Sequence, residues 1–192
     1  MKDIVNNEML KKNLFSFSFV ALIFILDRYS KFLILEKSKS LGTLNININS
    51  FLNFNLVWND GIAFGLLSFT QNVYYNAITC VIIFITMVII WFAYKSQGYE
   101  KISFLMITGG SLGNIFDRLY YSSVIDFIDI NFNNFHWFIF NVADIFITLG
   151  VIILIFLEIF KSNKTRELKY SLPQALRTTD GRDHAGQAQH TP

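Results

Sequence analysis

The chain is short of charge. Asp, Glu, Lys and Arg make up 16% of its 192 residues, against about a quarter in an average soluble domain. The shortage is concentrated: Gly61 to Tyr94 is a run of 34 residues without any of the four, and Asn13 to Leu26 is another of 14. A chain of one domain's length cannot bury that much unbroken apolar sequence in water, and 21 Phe residues add to the load. A water-soluble fold is excluded. The net charge of +2 is too small to point to a nucleic-acid partner. One cysteine, Cys80, excludes an internal disulfide; set among Ile, Val and Phe, it reads as a small buried hydrophobe. Only His136 of the three histidines lies outside the polar tail, so no His-rich metal site and no cofactor are expected.

What is present falls into spans. A membrane-crossing helix needs about 20 residues, and four candidates emerge: roughly Leu14 to Leu35, Asn72 to Tyr94, Ile102 to Phe116 and Asn141 to Phe160. The apolar run near the amino end has no small-residue cleavage site and continues past Asp27 and Lys31, so it reads as a retained helix and not a removable leader. The third candidate is short, about 22 Å at 1.5 Å per residue, and ends on Gly109-Gly110 and Gly113-Asn114. Lys2, Lys11, Lys12, Lys95, Lys101, Lys161, Lys164, Arg166 and Lys169 flank one side of the spans, whereas Arg28, Lys31, Lys37, Lys39 and Arg118 lie towards the other. Positive charge collects on the cytoplasmic side, so both termini are expected inside.

The resulting division is a cytoplasmic segment 1–13, a membrane domain 14–160 and a cytoplasmic tail 161–192, disordered from 171 for want of apolar surface. Segments 36–71 and 117–140 then face outside. In the first, Leu44, Ile46, Ile48, Leu52, Phe54 and Leu56 alternate with asparagines, a period of two that makes a β-ribbon with one apolar face. In the second, Val124 to Ile130 and Phe135 to Phe140 flank an Asn133-Asn134 turn. The expected fold class is an all-α membrane protein of four transmembrane helices with a small extracytoplasmic β-platform.

Ionisable and polar groups at the edges of such spans are costly and mark function. Asp27 and Lys31, at i and i+4, share a helix face and can pair, either as a structural ion pair or to orient substrate. Asn59 to Gly65 is a polar turn running into apolar chain. Gly109, Gly110 and Gly113 let helices touch. Asn114 and Arg118 put an amide and a guanidinium on one face, suited to a carboxylate or a peptide carbonyl. Two carboxylates have apolar neighbours: Asp126, and Asp144 in the first turn of the last helix behind Asn141 as N-cap. At similar depth on the outer side, such a pair shares one proton and can activate water while protonating a scissile carbonyl. The helix amino end favours Asp144 as the charged member. Asp117 and Asp129 are further acids in the same region, and spacing alone does not say which two meet.

The motifs Asp27-Arg28-Tyr29-Ser30-Lys31, Asn59 to Gly65, Gly109 to Arg118, Val124 to Ile128 and Phe140 to Asp144 resemble, in that order, those of the lipoprotein signal peptidase (signal peptidase II) family. The resemblance covers about Leu14 to Phe160. It implies an aspartic endopeptidase of the bacterial inner membrane, active at the outer face, that cuts a prolipoprotein before its diacylglyceryl-modified cysteine. Membrane lipid is then its surroundings, the enzyme is expected to be monomeric, and no nucleic acid, metal or cofactor takes part. Asp126 and Asp144 match the catalytic pair; Asn114, Arg118, Asn141, Asp27, Lys31, Asn59 and Gly110 match positioning and supporting residues. The sequence departs from the family pattern with Arg28 where Gln is usual, Phe138-Ile139 where a Pro is common, and Ile145 where Ser is common. The rival readings are a small transporter using outer-face carboxylates, expected to carry midplane acids and inverted repeats, a lipid-modifying transferase, and a purely structural membrane protein.

Overall fold

Over much of this chain apolar side chains face outward and polar ones inward, and the helices follow from that inversion. Along the first helix Leu22, Ile25, Leu26, Tyr29, Phe32 and Leu33 are exposed, while Asp27 and Lys31 are fully buried. The computed structural model describes residues 2–42, 44–60, 72–132 and 135–171. The elements are α1 (Lys2–Leu41), β1 (Asn45–Asn47), β2 (Leu52–Asn59), α2 (Asn72–Lys95), α3 (Gly98–Tyr121), β3 (Val124–Phe132), β4 (Phe135–Phe140) and α4 (Val142–Ser171). Two units can be distinguished, one up to Leu154 and one from Ile155 onward; the described part of the second is the distal stretch of α4. Among the described residues two helical segments, Tyr75–Lys95 and Val142–Asn163, are long and apolar enough to cross a membrane.

Helix α3 is the hub, and glycine sets its close approaches. A Cβ on Gly109 would lie 2.8 Å from the Cβ of Ile23 in α1, and one on Gly113 would lie 2.5 Å from the carboxylate of Asp27. On the α4 side, a Cβ on Gly110 would sit 2.5 Å from the carbonyl oxygen of Ala143, and Gly150 of α4 meets Ser103 and Ile107 as closely. Small residues let backbones touch where no larger side chain fits.

The four strands form one antiparallel sheet in the order β1-β2-β3-β4. Odd positions of β3, Ile125 and Phe127, join Ile34 and Leu44 in a small apolar core beneath the sheet, while Ile130 and Phe132 on the other parity are exposed. Ser122, at φ 57°, is the left-handed cap that turns α3 into β3. A single residue, Asn141, separates β4 from α4. These two short joints carry the sheet directly into the helices that hold the polar residues.

The structure corrects several expectations. α3 is not short: it has 24 residues, and Asp117 and Arg118 lie inside its last turns, because Asp117 is neutralised within the protein and does not mark a helix end. α1 begins at Lys2, so most of segment 1–13 is helical, and α4 continues to Ser171, well past Phe160. Other expectations hold: Asp126 is a strand residue, and the β-platform is one sheet, joined by β2–β3 pairing. Cys80 is exposed on α2 and not a core residue. Gly61 to Gly65, the Asn133-Asn134 turn and the tail beyond Ser171 lie outside the described residues.

Candidate active site

The site is assembled around the amino end of α4. Asn141 caps that helix: its side-chain Oδ1 accepts from the N–H of Asp144 at 3.1 Å, and its own N–H donates to Asp144 Oδ2 at 3.1 Å. This is a reciprocal capping box written Asn-x-x-Asp. Because Oδ1 is committed to the cap, the Asn141 amide nitrogen is left to donate outward, and it does so to Asp126 Oδ1 at 2.6 Å. Asn141 therefore touches both carboxylates. The other oxygen of Asp126 accepts from Asn59 Nδ2 at 2.9 Å, a contact fixed by the pairing of Asn59 with Val124 and Val57 with Asp126.

Asn114 holds Asp144 by the same logic. Its Oδ1 accepts from Lys31 Nζ at 3.1 Å and from Asn141 Nδ2 at 3.2 Å, so its amide nitrogen faces Asp144 Oδ1 and donates at 2.8 Å. Behind Asn114 lies a buried charge cluster. Lys31 Nζ bridges Asp117 Oδ2 at 2.7 Å and Asp27 Oδ2 at 3.0 Å. Arg28 reaches Asp117 Oδ1 at 2.6 Å and Asp27 Oδ2 at 2.8 Å, and stacks over Phe116. Two carboxylates and two cations cancel, as groups out of water must. The remaining oxygen of Asp27, Oδ1, accepts from the N–H of Ala143 at 3.0 Å and satisfies a second free donor at the start of α4.

Asp126 and Asp144 line an open cavity of about 990 Å³, together with Asn59, Asn114, Arg118 and His136. Burial lifts the Asp126 carboxyl to about 6; the amides of Asn59 and Asn141 oppose the rise, and the negative charge of Asp144 adds to it. A buried carboxyl in that range at a cavity wall is poised to exchange a proton near neutrality. Arg118 Nη1 donates to the carbonyl of Asn114 at 3.3 Å, and the guanidinium makes no ion pair among the described residues.

All nine residues singled out in the sequence lie in or against this constellation. Asp126, Asp144, Asn114, Asn59 and Arg118 are brought to the cavity, and Asn141 is buried behind it, bonded to both aspartates. Asp27 and Lys31 stand behind it as a buried pair, and Gly110 is the gap into which Ala143 fits. Of the two competing acids, Asp117 is taken up by Lys31 and Arg28, and Asp129 by His136 at 2.7 Å. Sequence reading missed Arg28 as a member of the charge cluster, though its adjacency to Asp27 was a signal. It also missed the Asp129–His136 pair, for which strand register is the determinant and no local signal exists. Of the residues that depart from the family pattern, Phe138, Ile139 and Ile145 line the cavity, while Arg28 belongs to the charge cluster.

Comparison with known proteins shows the family. The signal peptidase (SPase) II family profile matches residues 19–160. A lipoprotein signal peptidase of Pelagibacter ubique (strain HTCC1062) is 44% identical over 160 residues, 83% of this chain and 96% of that protein. One from Francisella tularensis subsp. mediasiatica (strain FSC147) is 40% identical over 164 residues, 82% of this chain and 99% of its own. Among solved structures, a bacterial membrane enzyme determined by the in meso method at 2.3 Å superposes with TM-score 0.65 and 26% identity, covering 78% of this chain and 90% of that one. A second bacterial membrane enzyme, at 1.9 Å, gives TM-score 0.61 at 27% identity over 73% and 90% of the respective chains. The chain belongs to the signal peptidase II family.

Proposed function

We propose that the protein is a membrane-embedded aspartic endopeptidase that removes signal peptides from prolipoproteins, cutting before the diacylglyceryl-modified cysteine. Family membership supports the peptidase activity and the prolipoprotein substrate. The aspartic mechanism rests on one observation: Asp126 and Asp144, from a strand and a helix, meet on Asn141 at the wall of an open cavity.

In that mechanism Asp144 is ionised, since it accepts a backbone N–H at a helix amino end where negative charge is favoured. Asp126, on a strand and away from that helix end, carries the one proton the pair shares. Asp144 takes a proton from water as the water oxygen attacks the scissile carbonyl carbon. Asp126 gives its proton to the carbonyl oxygen, producing a neutral gem-diol. As that intermediate collapses the C–N bond breaks, the leaving nitrogen receives a proton from Asp144, and the new carboxylic acid returns one to Asp126. Asn59, Asn114 and Asn141 hold both carboxylates throughout without supplying a competing acid.

Four spans, with α1 and α3 crossing alongside α2 and α4, are supported by the outward apolar face of α1 and by the 24-residue length of α3. The sorting of nine flanking lysines and arginines to one side supports an inner-membrane protein with both termini cytoplasmic and the cavity at the outer face. At that depth the dyad meets both water and the end of a transmembrane signal helix. The dyad and the groups that hold it are complete within one chain, so a monomer in membrane lipid can carry out the reaction. Cleavage of a diacylglyceryl-modified prolipoprotein by wild type, and its loss by at least about 10³-fold in folded Asp126→Asn and Asp144→Asn, is the expected result. Cleavage retained in both variants refutes the dyad.

A further inference from the structure

We infer that His136, held by Asp129, is a positioning residue for the mature portion of the substrate several residues past the cut bond; this rests on the peptidase reading above. The pair lies in the sheet, away from the dyad, and four observations single it out.

The first is the register. β3 and β4 pair Ile130 with Phe138 but Asn131 with His136, so Trp137 is an extra residue, a bulge. A one-residue slip moves every following side chain to the opposite face of a sheet. The bulge thus brings His136 onto the face of Asp129. The second is the cost of that carboxylate. Asp129 is fully buried; its Oδ2 meets His136 Nδ1 at 2.7 Å, and its Oδ1 is buried with no hydrogen-bond partner among the described residues. A buried acid with one oxygen unmatched is an expensive way to pack a strand, but it is what fixes an imidazole by one nitrogen.

The third is what remains. With Nδ1 engaged, Nε2 is the nitrogen left for a ligand, the ring is 52% exposed, and His136 is part of the wall of the cavity that holds the dyad. The fourth is distance. His136 stands five positions before Asn141 on β4, about 16 Å at strand rise. An extended peptide covers that span in about five residues. A substrate cut at the dyad and leaving the membrane past the sheet therefore brings its main chain to His136 a few residues beyond the modified cysteine. The group recognised is a peptide amide, whose N–H or C=O pairs with Nε2.

The test is a competition between two diacylglyceryl-modified prolipoprotein peptides with the same signal sequence. One ends just past the modified cysteine, and the other extends about eight residues beyond it, enough to pass a point about 16 Å away. Because both are cleaved in the same tube, the ratio of their kcat/KM values is independent of how much of a variant is folded. His136→Ala is expected to lower the long-to-short ratio about fivefold, the loss of one ordinary hydrogen bond. His136→Gln, which keeps an amide near the position of Nε2, should give an intermediate ratio. An unchanged ratio in His136→Ala, or one that moves towards the long substrate, overturns the assignment. Failure of wild type to cleave either peptide would instead count against the peptidase reading itself.

Discussion

Replacing Gly110 by alanine tests whether the dyad is placed by helix packing. The added Cβ would lie 2.5 Å from the carbonyl oxygen of Ala143 and 2.8 Å from Ile147, and ordinary contact begins at 3.4 Å. The obstacle is backbone in the first turn of α4, so a side-chain rotation does not relieve it. α4 must withdraw by about 0.9 Å, the difference between those two separations. That turn carries Asp144 and follows Asn141, which holds Asp126. A displacement near 1 Å in a reacting constellation costs about 10²-fold in rate, and overpacking costs about 1–3 kcal/mol in stability. Gly109→Ala is the matched control: its Cβ meets Ile23 of α1 at 2.8 Å and no atom of α4 among its nearest neighbours. The expected outcome is a kcat loss of about 10²-fold for Gly110→Ala with KM little changed, and a thermal shift without comparable kcat loss for Gly109→Ala. Steady-state cleavage and thermal unfolding of the purified variants measure both. A Gly110→Ala enzyme with wild-type kcat refutes the claim that this contact sets the dyad.

Three further outcomes follow from the same geometry. Asp126 has its carboxyl raised from 3.8 to about 6 in the folded state, so between those values the folded protein holds a proton that the unfolded chain has released. Its contribution makes stability fall as pH rises from about 4 to about 6, by at most about 1.4 kcal/mol per pH unit, and level off above; denaturation midpoints of wild type and Asp126→Asn across that range isolate it, and parallel curves would contradict it. Asn141→Ala loses a helix cap worth about 1 kcal/mol and the amide donor to Asp126, so it should lower thermal stability modestly and kcat by more than about tenfold. Lys31→Met, which leaves Asp27 and Asp117 without their fully buried partner, should destabilise by about 3–5 kcal/mol, and Arg28→Gln, at a side chain 18% exposed, by distinctly less; unfolding of the two variants side by side checks the order.

Local features were readable from the residues, and contacts made at long range were not. Asp27 and Lys31 were visible as a pair because helical spacing alone brings them together, and Asn141 was visible as a cap because β4 gives way to a helix at that residue. The alternation of Leu44 to Leu56 announced strands. It did not announce that β2 pairs with β3, which puts Asn59 on Asp126, since a bulge between Phe54 and Val57 shifts that register. The length of α3 was misjudged for a related reason. Asp117 and Arg118 look like the end of an apolar helix until the opposite charges of Lys31 and Arg28 are supplied from α1. Choosing Asp126 and Asp144 from four acids likewise required knowing which two already had cations or imidazole beside them, or the family pattern.

The hydrogen bond from the Ala143 N–H to Asp27 joins residues 116 positions apart. It means that the proposed active centre cannot be completed until α4 is in place. α1, with Asp27, is synthesised first, α3 brings Asn114, and only when α4 docks does its unfinished amino end find Asp27, Asn114 and the cap that sets Asp144. Before that moment Asp126 lacks Asn141 and Asp144 lacks Asn114, so a nascent or partly inserted chain is a bundle without a blade. Proteolytic competence is thereby tied to finished assembly.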